Sequence, residues 1–386
     1  MSENKILIFI GSCGKSWPYN TTPIQRALAL KSSFDYTFFI DKEDSLSNFL
    51  HGNSEYIKLS SFKELDVVFS KIAFADKKVT IIHGPSWPIS KEILNLRKKY
   101  NFKWIIDLYD HENLTSNIYL FKKNYTKFIY HRFFEKNITK AIKECDLLIS
   151  AIYENRFLNH ENRVKCINGV AFSEIEKIRG KKDIDIDIDI DIDIDIESDF
   201  IHLGYVGVLS FERSLLILKI VKKLAENNNV KVKFHLIGEC DEAFKAEIIK
   251  YNNELVKTEF YGFVDWSTAI NILNLVDICL YTFPIADRAE LDCVYPIKIG
   301  EYLALGKHVL SVDSNGLRDI LKLIGKDADL VLIDENEIEL WVNKIQEKAV
   351  IKNNNLEITS LSNSKLAKDN MEWGVLHKLV VESVNK

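Results

Sequence analysis

The sequence contains no continuous apolar run of about 18 residues, the shortest stretch that reads as a membrane-spanning helix. We therefore expect no transmembrane segment. The first residues lead directly into a short strand-like run, without the apolar core and small-residue cleavage site of a secretory signal. These features predict a cytoplasmic protein.

The chain also lacks paired cysteine motifs and an excess of basic residues. Its six cysteines are scattered, with no Cys-x-x-Cys, which is typical of reduced thiols and gives no zinc-ligand spacing. The formal net charge of −5 does not point to a nucleic-acid partner. A length of 386 residues favours two domains over one.

Apolar, β-branched runs alternate with helix-spaced stretches along the whole chain. The predicted strands fall in two series: 6–10, 36–40, 79–83, 104–108, 147–150 and 164–167, then 201–206, 232–237, 260–264, 278–281, 308–312 and 330–333. Strand–helix alternation is typical of parallel sheets covered on both faces. The fold class predicted is α/β, with two Rossmann-like doubly wound domains facing across a cleft and ligands at the carboxyl ends of the strands.

The segment Gly11-Ser12-Cys13-Gly14-Lys15-Ser16 has the Gly-Lys-Ser ending of a phosphate-binding P-loop. A P-loop needs glycine five residues before Gly14, where this chain has Phe9, and Pro18 would interrupt the helix that must follow. The helix signal comes later, at Thr22 and Pro23. We therefore interpret 11–22 as a loop that contributes to a site, not as a P-loop.

Seven Asp-Ile pairs occupy residues 183–196 and contribute seven negative charges. The tract contains Asp-x-Asp, a cation-binding pattern, but a metal site needs ligands fixed by a fold, and a low-complexity repeat does not supply that. We expect a spacer. An edge strand, a weak cation sink or a partner contact are the alternatives.

Residues 295–307 read as a helix that begins at Pro296 and ends before Gly306. Lys298 lies in the first turn, where backbone N–H groups and the helix dipole already favour an anion such as a diphosphate. Glu301 shares a face with Lys298 and can accept two hydrogen bonds from a ribose diol. The alternative is an ordinary surface Lys–Glu pair.

Several motifs occur in the order typical of one enzyme family: HLGYVGVLSFERSLLILKIVKKL, VKFHLIGE, FYGFV, VDICLYTF and YPIKIGEYLALGKHVLSVDSNGLRDIL. Together they resemble the nucleotide-sugar domain of GT-B glycosyltransferases, especially family 4 enzymes of bacterial polysaccharide synthesis. CDLLISAIYENRFL followed by CINGVAF resembles the end of that family's first domain. The resemblance implies an acceptor-binding domain over 1–170, a linker over 171–199, a donor domain over 200–365 and a returning helix over 366–386.

The resemblance also implies which residues bind the donor. Glu301 would hold the ribose, and Arg213 and Lys298 the two phosphates. The other implied donor residues are Gly207, Gly238, Gly262, Phe263 and Tyr295. Two positions depart from the family pattern, since Cys293 replaces a glutamate that holds the donor sugar and Val208 replaces an arginine. Glu290 and Asp292 are candidates to replace the missing carboxylate.

Polar residues follow predicted strands of the N-terminal half. Asp110 and His111 come just after 104–108, and either would orient or deprotonate an acceptor hydroxyl, with helix capping as the alternative role for Asp110. Gly11, Ser12 and His83 also follow strands and are candidates to line the acceptor side. Tyr261 and Phe263 lie either beside the donor base or in the core.

Residues 117–145 are basic and aromatic, a composition that suits either an amphipathic helix on an anionic membrane or a packed connecting helix. The sequence as a whole predicts a metal-independent glycosyltransferase without a cofactor. A nucleotide-sugar, with UDP the first choice, would be the donor, and a glycan or lipid-linked glycan the acceptor. The alternatives are a degenerate GT-B subunit that binds without transferring, and a GT-B nucleotide-sugar epimerase.

Overall fold

The structure is a computed structural model. It describes residues 4–11, 22–42, 52–72, 77–84, 86–109, 126, 129, 138–151, 160–179, 197, 199–227, 230–285, 292–325, 327–351 and 356–386. Contacts divide the chain into two compact units. Unit 1 comprises Met1–Asn168, Cys293–Tyr295 and Trp373–Lys386, and unit 2 comprises Gly169–Asp292 and Pro296–Glu372.

Unit 1 contains a seven-stranded parallel sheet in the order β3-β2-β1-β4-β5-β6-β7. Its strands are β1 Asn4–Ile10, β2 Tyr36–Asp41, β3 Ser54–Lys58, β4 Lys77–His83, β5 Lys103–Leu108, β6 Leu147–Ser150 and β7 Arg163–Lys165. Its helices are α1 Thr22–Lys31, α2 Leu65–Lys71, α3 Trp87–Leu96 and, from the end of the chain, α12 Trp373–Asn385. Residues 138–144 are also helical.

The strands of unit 1 alternate between two apolar clusters. Ile6 and Ile8 of β1 pack with residues of α2 and α3. Leu7 packs on the opposite face, with residues of α1 and α12. Both faces of the sheet are thus apolar, which explains why its central strands are continuous hydrophobic runs. Edge strand β3 is only partly buried, and its weak apolar pattern explains why the sequence did not predict it.

Unit 2 contains a six-stranded parallel sheet in the order β10-β9-β8-β11-β12-β13. The strands are β8 Ile201–Val206, β9 Val232–Ile237, β10 Val256–Gly262, β11 Ile278–Tyr281, β12 His308–Val312 and β13 Leu330–Ile333. The helices are α4 Phe172–Arg179, α5 Leu215–Asn227, α6 Glu242–Ile249, α7 Trp266–Leu275, α8 Ile297–Ala304, α9 Asn315–Ile324, α10 Ile338–Ile351 and α11 Leu356–Met371.

The two parallel sheets with alternating helices confirm the predicted fold class. The domain bounds differ from the prediction at three places. Residues 172–179 were expected in a linker but form α4, because Phe172 and Ile175 are buried in unit 2. The returning helix starts at Trp373 rather than at 366, and α11 before it belongs to unit 2. Cys293–Tyr295 clusters with unit 1, inside the predicted donor domain.

Candidate functional site

Three glycines lie at the carboxyl ends of neighbouring strands in unit 2. Gly207 follows β8, Gly238 follows β9 and Gly262 ends β10. The amide of Gly207 donates to the carbonyl of Ile237 at 2.9 Å, and the amide of Gly238 donates to the carbonyl of Gly262 at 2.8 Å. The structure therefore brings the three sequence-predicted glycines together at one edge of the sheet.

Gly238 and Gly207 approach each other too closely for side chains. Gly238 has a φ of +133°, and a Cβ added there would lie 2.0 Å from the carbonyl oxygen of Gly207. A Cβ on Gly207 would lie 2.7 Å from the hydroxyl of Tyr205 and 3.0 Å from Nζ of Lys298. The backbone here is thus bare and faces an ammonium group, an arrangement in which a ligand can reach main-chain atoms.

Lys298 lies in the first turn of α8, which begins at Ile297, one residue after the predicted start at Pro296. Pro296 is the N-cap residue and provides no side-chain cap. By contrast, Asp241, Asp265 and Ser314 cap helices α6, α7 and α9. The Lys298 ammonium lies 5.9 Å from the ring centroid of Tyr205. Burial lowers the pKa of Lys298 to about 8, with Arg213 acting in the same direction and Glu301 against it.

Arg213 lies in the loop between β8 and α5 and is exposed. Its guanidinium carbon is 5.8 Å from the ring centroid of Phe283, which follows β11. Because Arg213 lowers the pKa of Lys298, the two cations are close enough to interact electrostatically. Two neighbouring positive charges beside an uncapped helix start can bind an anion that carries more than one charge.

Glu301 lies one turn further along α8, and only 8% of its surface is exposed. Its Oε1 accepts a hydrogen bond of 2.7 Å from the indole Nε1–H of Trp266, the first residue of α7. Trp266 was not among the site residues predicted from the sequence, because the pattern around it contains no signal for this contact. Glu301 is therefore a positioned, mostly buried carboxylate and not a residue of an exposed Lys–Glu surface pair.

Aromatic residues near Gly262 have different environments. Phe263 is 74% exposed, far more than a core residue, and it follows Gly262, whose φ is +66°. The hydroxyl of Tyr261 instead lies 2.7 Å from Nδ1 of the buried His235. Of the two, Phe263 is thus the aromatic side chain available to a ligand.

Tyr295 is not grouped with the other predicted donor residues. It is fully buried and clusters with unit 1, where its carbonyl accepts a hydrogen bond of 2.7 Å from Nδ2 of Asn168. The ammonium of Lys165 lies 5.5 Å from its ring centroid. These contacts give Tyr295 a packing role, so its assignment as a donor ligand is corrected.

The structure shows the surroundings of Cys293, which replaces the sugar-binding glutamate, and of Asp292, one candidate to replace it. Cys293 packs against the apolar cluster that α2 and α3 form on the unit 1 sheet. Asp292 accepts hydrogen bonds from both the amide and the side-chain amide of Asn315, at 2.8 and 2.5 Å. Both oxygens of Asp292 thus bind the start of α9, which argues against its replacing the missing sugar-binding carboxylate. Glu290 lies outside the described residues.

His83, predicted to line the acceptor side, is fully buried at the end of β4. Its Nε2 accepts a hydrogen bond of 2.9 Å from the Trp104 indole, so the proton is on Nδ1, which lies 2.6 Å from the carbonyl oxygen of Gly84. Burial lowers the pKa of His83 to about 4. Both ring nitrogens bind protein groups, so the assignment of His83 to the acceptor site is corrected.

A buried ion pair lies at the same edge of the unit 1 sheet. Nε of Arg26, on α1, lies 3.0 Å from Oδ2 of Asp107, on β5, and both side chains are almost inaccessible. Nη1 of Arg26 also donates to Sγ of Cys166, at 2.6 Å. Burial raises the pKa of Asp107, while the positive charge of Arg26 opposes that shift. This pair links α1, β5 and the end of β7, and the sequence did not predict it.

Of the remaining residues predicted on the acceptor side, only Gly11 lies within the described residues. Gly11 is buried after β1, and its amide donates to the carbonyl of Ile40 at 2.8 Å. Asp110, His111 and Ser12 lie outside the described residues, as do most of 117–145 and the Asp-Ile tract. Within the described ranges, no group of three metal-ligating side chains converges, and no helix is long and apolar enough to cross a membrane.

Comparisons with known proteins agree with this fold. Residues 201–348 match the family model described as "Glycosyl transferases group 1". No curated protein sequence matches the chain significantly.

Solved structures match over nearly the whole chain. Sucrose-phosphate synthase from Thermosynechococcus elongatus has a TM-score of 0.69 at 12% identity, covering 99% of this chain and 98% of that one. A glycosyltransferase from Rickettsia africae has a TM-score of 0.65 at 14% sequence identity, covering 99% of this chain and 98% of that one. Anabaena HepE in complex with UDP-glucose has a TM-score of 0.64 at 14% sequence identity, covering 98% of this chain and 99% of that one. The fold is therefore that of the GT-B glycosyltransferases.

Proposed function

We propose that this protein is a GT-B glycosyltransferase that moves a sugar from a nucleoside-diphosphate sugar to an acceptor hydroxyl. The observation that carries the proposal is the arrangement on α8, where Lys298 faces the bare backbone at Gly207 and Glu301 is held by Trp266 one turn further on. Residues 201–348, which match the glycosyltransferase family model, contain every one of these groups.

The diphosphate would lie at the start of α8. Val208 cannot supply the positive charge that family members often place after the glycine of the first strand. The ammonium of Lys298 lies against that same glycine, Gly207, and so supplies a cation there from another element. Arg213 contributes the second cation, and the uncapped first turn of α8 contributes backbone N–H groups.

The nucleoside would extend from the diphosphate toward Glu301 and Phe263. A carboxylate accepts two hydrogen bonds from a ribose 2′,3′-diol, and the Trp266 hydrogen bond fixes its orientation before the donor arrives. The exposed ring of Phe263 would stack on the base. UDP is our first choice of nucleotide, supported by the fold shared with HepE, whose structure contains UDP-glucose.

On the acceptor side, we propose Asp110 or His111 as the group that orients or deprotonates the hydroxyl, acting as a general base. The acceptor would be a glycan or lipid-linked glycan of bacterial surface polysaccharide synthesis. Residues 117–145 would contact the inner face of the membrane if that acceptor is lipid-linked. We propose a metal-independent reaction, with charge on the leaving diphosphate offset by Lys298 and Arg213.

A thermal-shift screen against UDP, GDP, dTDP and CMP and their sugars tests the proposal. One nucleotide series should raise the melting temperature, by mass action on the folded state. Transfer or slow hydrolysis of the same donor should follow, and should persist in EDTA. A chain stabilised by none of the nucleotides would contradict the donor site. Loss of turnover in EDTA would contradict metal independence.

A second function, donor binding without transfer, is favoured by the surroundings of Cys293 and Asp292. Neither position presents a carboxylate for the donor sugar, since one is an apolar contact and the other binds Asn315. The same experiment separates the two functions. Binding of a nucleotide-sugar without turnover under any acceptor condition would favour the non-catalytic role.

A further inference from the structure

A cavity of about 350 Å³ opens at the amino edge of the unit 1 sheet. Strands β1, β4 and β5 begin there, and the end of α12 forms one wall. Four strand lysines line it, Lys5, Lys77, Lys78 and Lys103. None of the described lining residues has an acidic side chain, so the lining side chains that carry charge are all positive.

The strand register places three of these lysines on one face of the sheet. Lys5 is paired with Lys78 on the neighbouring strand, and Lys103 is paired with Thr80. Lys78 and Thr80 are two residues apart, so they point the same way. Adjacent strands are about 4.8 Å apart, and like charges directly opposite each other destabilise a sheet. The pairing of Lys5 with Lys78 therefore places two positive charges side by side on the face that lines the cavity.

Lys103 is held in place on the same face. Its ammonium donates to the carbonyl of Val384 at 2.8 Å and lies 3.4 Å from the carbonyl of Ser383, both in α12. Burial lowers the pKa of Lys103, and Asp146 opposes that shift. Thr80, beside it, is 6% exposed and adds a hydroxyl to the floor of the cavity. One cation of the cavity is thus positioned by the fold before any ligand binds.

We propose that this cavity binds a phosphate ester, either a soluble phosphorylated molecule or a phospholipid headgroup. Lysine binds phosphate as a point charge, and an anion with several oxygens can contact ammonium groups on adjacent strands at once. The volume lies within the range of small-molecule sites. Substrates of doubly wound domains bind at the carboxyl edge of the sheet, so a ligand at the amino edge is separate from the transfer reaction.

Site-resolved acetylation with inorganic pyrophosphate as the probe tests the cavity itself. Bound pyrophosphate should slow the acetylation of Lys5 and Lys78 severalfold, while Lys91 and Lys98, exposed on the other side of the sheet, keep their rates. Because each lysine is read separately, pyrophosphate bound near Lys298 does not affect the result. Equal protection of all four lysines, or protection of none, would overturn the proposal.

Vesicle sedimentation then separates the two sources of phosphate. The variant Lys5→Gln/Lys78→Gln is compared with Lys91→Gln/Lys98→Gln, which removes the same charge elsewhere in unit 1. If the ligand is a headgroup, the first variant should bind phosphatidylglycerol vesicles roughly tenfold more weakly than the second. Protection by pyrophosphate with equal vesicle binding identifies a soluble ester. Vesicle dependence without protection would mean a flat charged surface and overturn the cavity. Because UDP also carries a diphosphate, the donor site is read from the loss of UDP affinity in Glu301→Ala, and the cavity from the acetylation of Lys5 and Lys78. Failure of one proposal therefore leaves the other unaffected.

Discussion

The indole Nε1–H of Trp266 donates a hydrogen bond of 2.7 Å to Oε1 of Glu301. The contact joins the first residue of α7 to the second turn of α8, so a carboxylate with 8% exposure is fixed next to the start of a helix that carries Lys298. A buried carboxylate is costly unless it is hydrogen-bonded. The hydrogen bond from Trp266 offsets that cost, and the following predictions test the proposed role of Glu301 in donor binding.

Replacing Glu301 with alanine should weaken donor binding. Loss of charge-assisted hydrogen bonds to ribose costs about 1.5–3 kcal/mol, which corresponds to roughly a 10- to 100-fold lower affinity. The free nucleoside diphosphate should weaken as much as the full donor, because the lost contact is to ribose. Calorimetric titration with UDP and GDP measures both. Glu242→Ala, at an exposed glutamate of the same unit, is the control. Unchanged nucleotide affinity in Glu301→Ala would refute the assignment of 295–307.

Asp110→Asn should have the opposite kinetic signature. If Asp110 acts on the acceptor hydroxyl, the amide keeps the shape but cannot accept a proton, so turnover falls while nucleotide affinity is unchanged. A transfer assay beside the calorimetric titration checks this. Normal turnover in Asp110→Asn would leave His111 as the candidate, and His111→Gln would then be measured in the same way.

Gly238→Ala should disrupt the donor loop. The added Cβ would lie 2.0 Å from a backbone oxygen, at a φ of +133°. We expect the free energy of unfolding to fall by about 3 kcal/mol, since strain and a backbone clash combine. Gly325→Ala is the matched control, because its φ is +97° but no atom lies within 4 Å of the added Cβ. Urea denaturation of the two variants separates the clash from the strain, and equal losses would contradict the close approach.

Shortening the Asp-Ile tract should have little effect. Removing four of its seven pairs changes only the length of a connection, and the cost of closing a loop varies slowly with length. Donor affinity and the urea midpoint should stay near those of the parent. Loss of folding or activity on shortening would show that the tract is a structural strand.

The sequence predicted local structure well because the apolar runs are short and continuous. Eight strands match their predicted bounds to within one residue, including 278–281 and 330–333, and α8 starts within one residue of the predicted Pro296. Contacts across long separations could not be predicted. Arg26 and Asp107 are 81 residues apart, and nothing in either local pattern marks the ion pair.

In the candidate site, too, local features were predicted from the sequence and long-range contacts were not. The residue types of the donor site were predicted from motif order, whereas the close approach of Lys298 to Gly207 joins two elements far apart in the sequence. His83 and Tyr295 were misassigned because a residue near a strand end or helix start can face either a ligand or the core. Burial decides between the two, and a single sequence does not report it.

Donor affinity should depend on pH through Lys298. Burial lowers the pKa of this ammonium from 10.5 to about 8, so above that pH it loses the charge that binds the diphosphate. The phosphate groups of UDP are already ionised there, since their last pKa is about 6. Affinity should therefore be highest near pH 7 and fall above pH 8, approaching tenfold per pH unit if one proton is required.

Stability should move in the opposite direction. Between about pH 8 and 10.5 the unfolded chain binds more protons at Lys298 than the folded chain does, so this residue makes the free energy of unfolding rise with pH across that window. Opposite trends of affinity and stability distinguish titration of Lys298 from general alkaline unfolding, which would lower both. Calorimetric titration with UDP from pH 6.5 to 9.5, beside urea denaturation, measures the two trends. Lys298→Met should bind weakly with no pH dependence, whereas Lys298→Arg should keep its charge and shift the decline to higher pH. A decline above pH 8 that persists in Lys298→Met would assign the titration to another group.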